Sequence, residues 1–233
     1  MRERKAVLVA IGGASSSGKT VSYPDNEIPI DEKTGEANWD CPDAINFEAF
    51  EKEINYIKQN CQLSPQALSY ENRYNSDTKD SGSLSDFSDD FRSQVNHITK
   101  YIELENCQLF FIDGFMLFHD PKIINLFDIK LFLRASYKTL KERREGRAGY
   151  QTQENFWVDP PNYFDNIVYP AYAESHKFLF IDQNVEQDLN SRISNDLGIR
   201  SFANNPPSTL SSVSLWAIET LNLGLQHLKY NLL

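Results

Sequence analysis

The sequence predicts a three-layer α/β fold with a parallel central sheet. Short, mostly apolar stretches, the first of them wholly apolar, alternate along the chain with longer segments whose apolar residues recur at helical spacing. A strand that is apolar at every position is typical of a parallel sheet covered by helices on both faces. The chain has 233 residues, of which 40% are hydrophobic. This is enough for one core, so residues 1–233 are expected to form a single domain.

Four strands are predicted, at residues 6–11, 108–112, 127–133 and 178–181. The second of them leads into Asp113 and Gly114. Functional residues in α/β sheets lie just beyond the carboxyl ends of the strands, which makes Asp113 a candidate for ordering Mg²⁺ through water. The other interpretation of Asp113 is a turn residue that only ends the strand.

Helices are predicted to begin near Phe47, near Phe91, after Ser136 and near Ser211. Asp43 is placed to cap the first of them, and Ser136 to cap the third. Residues 62–93 are rich in Ser, Asn and Asp and contain few aliphatic side chains. Such a segment cannot bury enough apolar area to fold by itself, which predicts a flexible polar insertion.

The composition excludes several classes of function. A formal net charge of −10 and an isoelectric point of about 4.9 leave no broad basic surface, so no nucleic-acid partner is expected. The three cysteines are far apart and form no CxxC pair, which argues against a disulfide framework or a zinc site. No apolar run reaches 18 residues, so no membrane contact is expected. A cytoplasmic location is predicted, with the nucleus as a further option.

A phosphate-binding loop is predicted directly after the first strand. Residues 13–20, GASSSGKT, fit the pattern GxxxxGK[ST]. The backbone N–H groups of such a loop face phosphate oxygens, Lys19 reaches the β and γ phosphates, and the Thr20 hydroxyl ligates Mg²⁺. The backbone residues of this loop are Gly13, Ala14, Ser15, Ser16, Ser17 and Gly18. The competing interpretation is a Ser/Gly-rich strand end with a stray lysine.

The sequence after this loop does not continue as the motif requires. In this motif the phosphates lie at the N-terminus of a helix that begins at the lysine. Here Pro24 follows Thr20 within four residues and limits any helix to about one turn.

Residues 141–151 combine basic side chains with two glycines. Lys141, Arg143, Arg144 and Arg147 are gathered in this segment. Arginines bind phosphate oxygens and glycines permit movement, so the segment is a candidate lid over a transferring phosphoryl group. Without a phosphate loop in the same chain, a solvated basic helix end would be the simpler interpretation.

The segment NWDCPD offers an aromatic face at Trp39 next to a carboxylate at Asp40. This pair suits a ring and the hydroxyls of a sugar, although Trp-Asp pairs are also common in cores and turns. The four histidines are scattered without ligand spacing, so no histidine-based metal site is predicted.

Several segments together resemble the nicotinamide riboside kinases, and most of all their fungal branch. They are AVLVAIGGASSSGKT, NEIPIDEKTGEANWDCPDAINFEAF, FFIDGFMLF, LKERREGRAGYQT and FWVDPPNYFDNIVYPAY. Members of this family are P-loop kinases related to the uridine kinases. They use MgATP to phosphorylate the ribose 5′-hydroxyl of nicotinamide riboside, which gives nicotinamide mononucleotide in NAD salvage.

On the ATP side, the resemblance implies that residues 13–20 hold the phosphates, with Lys19 as a catalytic cation and Thr20 and Asp113 near Mg²⁺. Arg143 and Arg147 would contact ATP from the lid and assist catalysis. The loop beside adenine would contain Asp182, Gln183 and Asn184.

On the substrate side, the resemblance implies that Trp39 lies beside nicotinamide riboside and that Asp40 accepts hydrogen bonds from its ribose hydroxyls. Arg144 would also contact the riboside. Tyr150 and Gln151 match the tyrosine-glutamine pair that lines the nicotinamide pocket.

The chain departs from the family directly after Thr20. The rest of the first helix, the second strand and an acidic motif with the catalytic base are missing, a loss of about twenty residues. No aspartate of this chain matches that base. We therefore expect impaired activity, and we expect loss of the helix to expose apolar residues of the first strand.

Three interpretations of the function remain open. The chain is an incomplete translation of a working nicotinamide riboside kinase gene, a protein that binds nucleotide or riboside without catalysis, or a kinase for another nucleoside such as uridine.

Overall fold

A computed structural model describes residues 4–14, 27–68, 88–151 and 156–230. Within these residues the central sheet has four parallel strands in the spatial order β2-β1-β3-β6. These strands are β1 (Lys5–Gly13), β2 (Cys107–Gly114), β3 (Ile129–Arg134) and β6 (Ile199–Ala203). A short antiparallel hairpin is formed by β4 (Tyr150–Gln151) and β5 (Phe156–Trp157).

Helices cover both faces of the sheet. They are α1 (Phe47–Asn60), α2 (Asp89–Glu105), α3 (Pro121–Ile124), α4 (Tyr137–Glu145), α5 (Tyr169–His176), α6 (Ser191–Asp196) and α7 (Leu210–Tyr230). Helices α1, α4 and α5 contribute to the core on one face, and α2 and α7 contribute to the core on the other. The predicted three-layer α/β fold with a parallel sheet is confirmed.

The central strand β1 divides the core in two. Leu8 and Ala10 belong to one apolar cluster, and Val7 and Val9 belong to the other, because successive side chains of a strand point to opposite faces. All four are buried. The expectation that the first strand would be exposed is therefore wrong, since helices and neighbouring strands cover it from both sides.

Exposed apolar surface lies instead on β2. This strand is at the edge of the sheet, and no strand of the described residues pairs with its outer side. Phe111 is 56% exposed, and Leu109, Phe110 and Ile112 are only half-buried. Among the described strands β2 is outermost on this side, so its side chains lack the lateral neighbours that bury those of β1.

The fourth predicted strand is wrong. Residues Lys177–Leu179 and Ile181–Gln183 form 3₁₀ turns, and Phe180 makes a single antiparallel bridge to Leu189. Leu179 and Phe180 are buried, which explains an apolar sequence without a strand. The fourth strand of the central sheet is β6, which lies at the other edge and whose sequence IRSFA mixes polar and apolar residues.

Of the two predicted helix caps, the one for α1 is wrong and the one for α4 is confirmed. The side chain of Asn46, not Asp43, caps α1 by accepting the N–H of Ala49 at 2.9 Å. Asp43 lies in the preceding 3₁₀ turn, Pro42–Ala44. The prediction for Ser136 is confirmed, since its hydroxyl caps α4.

The predicted polar insertion is described only at its ends. A helical turn is present at 65–68, and α2 begins at Asp89 after the N-cap Ser88. Residues 69–87 lie outside the described residues.

Gly13 ends β1 opposite Leu133 of β3, and the sheet itself requires glycine there. A Cβ at position 13 would lie 2.2 Å from the Leu133 carbonyl oxygen, a backbone atom that cannot move aside. We expect Gly13→Ala to lower the free energy of unfolding by about 1–3 kcal/mol, measured by urea denaturation. Gly114→Ala is the control, because the nearest atoms to a Cβ at position 114 belong to the Leu117 side chain and lie at 3.1 Å or more. Equal stability of the two variants would contradict this account.

Candidate functional site

The described residues include only part of the predicted phosphate loop. Gly13 and Ala14 lie at the carboxyl end of β1. The other predicted members lie outside the described residues, namely Ser15, Ser16, Ser17, Gly18, Lys19 and Thr20. The backbone of Tyr150 and Gln151 forms β4, and their side chains also fall outside the described part.

A cleft of about 170 Å³ opens at the carboxyl ends of β1, β2 and β3. It brings together five residues that the sequence predicted to share a site, which are Gly13, Ala14, Asp113, Arg143 and Arg147. Arg134 and Asn204 also line it and were not predicted. The lining therefore combines the first two residues of the predicted phosphate loop with several cationic side chains, an arrangement suited to an anionic ligand.

Asp113 is the carboxylate of this cleft. It lies beside Ile11 of β1 in the sheet register and is exposed to solvent at the rim. Desolvation by neighbouring protein atoms raises the pKa of its carboxyl above the usual value. Among the described residues Asp113 forms no salt bridge, so its charge is available to a cation bound in the cleft.

The described residues hold no group of three or more His, Cys, Asp or Glu side chains arranged to bind a metal ion. A single carboxylate beside a cleft lined by arginines is nevertheless compatible with Mg²⁺. This ion usually takes one or two protein carboxylates and completes its shell with phosphate oxygens and water.

Two adjacent arginines of helix α4 lie in different environments. Neighbouring residues on a helix point about 100° apart, so Arg143 and Arg144 face different surroundings. The Arg143 guanidinium is exposed at the cleft and donates to the Asn204 carbonyl oxygen at 3.0 Å. Arg144 points inward and is only 7% exposed.

Arg144 lies between two carboxylates. Its terminal nitrogens donate to both oxygens of Asp40, at 3.0 and 3.1 Å, and its Nε donates to Asp159 at 2.6 Å. Burial raises the pKa of the Asp40 carboxyl, and the paired Arg144 guanidinium opposes that shift. The structure thus joins Asp40 and Arg144, two residues that the sequence predicted to contact one substrate.

Two tryptophan rings, Trp39 and Trp157, lie beside the cluster of Arg144 and its two carboxylates. The rings of Trp39 and Trp157 are 5.8 Å apart, and the Trp157 indole N–H donates to Asp159 at 2.9 Å. The hydroxyl of Tyr163 accepts the backbone N–H of Trp39. Among the described residues the buried Nε1 of Trp39 has no hydrogen-bond partner, which leaves a donor available to a bound molecule.

Asp159 and Trp157 were missed as site residues. Both belong to the segment FWVDPPNYF, which the sequence singled out only for its resemblance. An aspartate two residues after a tryptophan gave no signal of its own. Their importance follows from the hairpin, which carries them back to Arg144.

The three residues predicted beside adenine do not line the cleft. Asp182, Gln183 and Asn184 are exposed on a turn that follows α5. The backbone of Asp182 and Gln183 is left-handed, with φ of 50° and 55°.

None of the described helices combines the length and the apolar composition that crossing a membrane requires.

Comparisons with known proteins point to one family. No family model matches the chain. The nicotinamide riboside kinase of Saccharomyces cerevisiae is 34% identical, over 95% of this chain and 98% of the relative. The Schizosaccharomyces pombe protein of the same name is 33% identical, over 96% and 99%. Nicotinamide riboside kinase 1 of Rattus norvegicus is 22% identical, over 83% and 94%.

The alignments also show that the chain is short for its relatives. The S. cerevisiae alignment runs over 243 residues, whereas 95% of this chain's 233 residues is about 221. About 20 positions of the alignment therefore have no residue in this chain, close to the number that the resemblance implied to be missing. Two fungal relatives above 30% identity, matched over almost their whole length, place this chain in the nicotinamide riboside kinase family.

Proposed function

We propose that this chain binds ATP and nicotinamide riboside and transfers the γ-phosphoryl group of ATP to the 5′-hydroxyl of the riboside. The observation that carries the proposal is the pair of adjacent arginines on α4. Arg143 serves a cleft at the start of the phosphate loop, and Arg144 serves a buried cluster beside two tryptophans. One helix thus links a site for an anion with a site for a small polar ring compound.

The riboside is proposed to lie against the cluster of Arg144 and Asp40. A carboxylate that already accepts two N–H bonds from an arginine still has lone pairs for two ribose hydroxyls. Trp39 supplies an aromatic face and an indole donor for the nicotinamide side. Tyr150 and Gln151 are proposed to complete that pocket.

ATP is proposed to lie along the cleft. Residues 13–20 would hold its phosphates, Lys19, Arg143 and Arg147 would neutralise the transferring group, and Asp182, Gln183 and Asn184 would lie beside adenine. Thr20 and Asp113 would hold Mg²⁺, which supplies charge neutralisation between the phosphates. Phosphoryl transfer needs positioned oxygens and cancelled charge more than covalent chemistry, and the arginines and the cleft meet that need.

The rate is proposed to be low. No aspartate of this chain matches the family's catalytic base, and loss of a general base costs about 10²–10⁴ in rate. The chain is then a binder of both substrates with slow transfer between them.

The test is an assay of purified protein with MgATP and nicotinamide riboside, with the product measured by mass spectrometry. The S. cerevisiae relative serves as the reference under the same conditions. We expect product at a rate about 10²–10⁴ below the reference. A rate equal to that of the reference would contradict the proposed impairment, and uridine turned over faster than nicotinamide riboside would contradict the proposed substrate.

A second candidate is binding without catalysis, which the roughly 20 alignment positions without a residue in this chain favour. Saturable binding of nicotinamide riboside in calorimetry, together with no product after prolonged incubation, would support this candidate over the first. Absence of binding for both ATP and nicotinamide riboside would contradict both.

A further inference from the structure

The turn that carries Asp182, Gln183 and Asn184 is part of a closed loop, residues 181–189. The N–H of Ile181 donates to the Asp188 carbonyl oxygen at 3.0 Å, and the strand-like bridge between Phe180 and Leu189 closes its base. Left-handed backbone at non-glycine residues is costly, and it persists only where the surroundings hold it. The loop therefore depends on its anchors.

Arg134 anchors the loop from outside it. It is the last residue of β3, its side chain is 18% exposed, and it lines the cleft. One terminal nitrogen donates to the Gln187 carbonyl oxygen at 2.9 Å, and the other pairs with the Asp188 carboxylate. A single side chain thus connects the wall of the cleft with the far side of the loop.

A second anchor comes from the next element of the chain. The backbone N–H of Tyr137, in the first turn of α4, donates to the Glu186 carboxylate at 2.9 Å. The loop is therefore tied to the end of β3 and to the start of the helix that carries Arg143.

We propose that Arg134 is a positioning residue that fixes the 181–189 loop for the base of the bound nucleotide. This inference rests on the proposed function, because it takes ATP as the ligand of the cleft. Both terminal nitrogens of Arg134 are engaged by the loop, so its contribution to ATP binding passes through the loop rather than through the phosphates.

The physical reason is the conformational entropy that the 181–189 loop loses when it becomes ordered. A loop held in its bound conformation before ATP arrives loses little further entropy on binding, whereas a released loop must be ordered by the ligand itself. Loss of the anchor should weaken ligands that carry a base and should leave a ligand made only of phosphates unaffected.

The experiment compares equilibrium binding of ATP and of inorganic tripolyphosphate, both with Mg²⁺, by titration calorimetry on the whole chain. Arg134→Met is expected to weaken ATP by about tenfold and tripolyphosphate by less than about twofold. Asp188→Asn tests the same contact from the side of the loop. A smaller loss of ATP affinity, about threefold, is expected for it because Asp188 is 75% exposed.

Arg200→Met is the matched control. Arg200 is an exposed arginine on β6 that does not line the cleft, and its loss is expected to change neither ligand. Thermal unfolding of each variant checks that it is folded.

Two results would overturn the inference alone. In one, Arg134→Met and Asp188→Asn bind ATP as the unchanged protein does. In the other, Arg134→Met weakens ATP and tripolyphosphate equally, which would make Arg134 a direct phosphate contact through its buried Nε. Unchanged protein that binds neither ligand would overturn the proposed function together with the inference.

Discussion

Arg144→Met is expected to lower the free energy of unfolding by about 3–5 kcal/mol and to reduce affinity for nicotinamide riboside by more than about 100-fold. The substitution keeps the apolar stem of the side chain and removes its charge. Asp40 and Asp159 would then lose the guanidinium that lies between them, and Asp40 is 4% exposed. A buried carboxylate that loses its partner keeps the full cost of its desolvation.

The measurements are urea unfolding and calorimetric titration with nicotinamide riboside. Arg143→Met is the control on the same helix, and we expect it to change stability by less than about 1 kcal/mol because that side chain is exposed. In the Arg144→Met background, Asp40→Asn should recover part of the lost stability, since it removes one unpaired charge, without recovering riboside binding. Full riboside affinity in a folded Arg144→Met protein would contradict the proposed site.

Acid should destabilise the protein through His176, by about 3 kcal/mol between pH 6.5 and pH 4. This side chain ends α5, is fully buried and packs on the rings of Phe132 and Tyr172. Its Nδ1 donates to the Tyr172 carbonyl oxygen at 3.0 Å, and among the described residues its Nε2 has no partner. Desolvation, with a smaller contribution from the charge of His119, lowers the pKa of His176 to about 4.

The direction of this pH effect follows from the protonation of His176 in the folded and in the unfolded protein. Below pH 6.5 the unfolded chain takes up a proton at this histidine, while the folded protein does not until the pH nears 4, so falling pH favours unfolding. The test compares free energies of unfolding of the unchanged protein and His176→Phe across that range. His176→Phe should lose about 3 kcal/mol less, and His97→Gln, at an exposed position of α2, should behave as the unchanged protein does. Parallel pH profiles for the unchanged protein and His176→Phe would refute this assignment.

The strands that could be predicted from the sequence are those that contain an uninterrupted run of three or more apolar residues. Leu8, Val9 and Ala10 of β1 are buried on both faces of the sheet, and their apolar sequence indicates this burial directly. The strand β6 could not be predicted in this way, because Arg200 and Ser201 interrupt its apolar residues. Phe180 shows the converse, since a buried apolar side chain also fits a turn.

Candidate site residues could be predicted where their charged or aromatic side chains are close together in the sequence. The cationic cluster on α4 and the Trp39–Asp40 pair could be recognised in this way. Contacts between distant segments could not be predicted, because Asp40 and Arg144 are 104 positions apart and meet only in the folded chain. For the same reason Asp159 and Arg134 gave no signal, since each acts through a partner that another element supplies.

The outer edge of β2, which no strand of the described residues pairs with, has a consequence for the protein in concentrated solution. The strand, CQLFFIDG, carries neither lysine nor proline, the residues with which proteins commonly protect a sheet edge from intermolecular pairing. Phe111 adds an apolar contact at the middle of that edge. The net charge of −10 keeps copies of the chain apart at low ionic strength, so added salt should bring β2 edges together and start aggregation there.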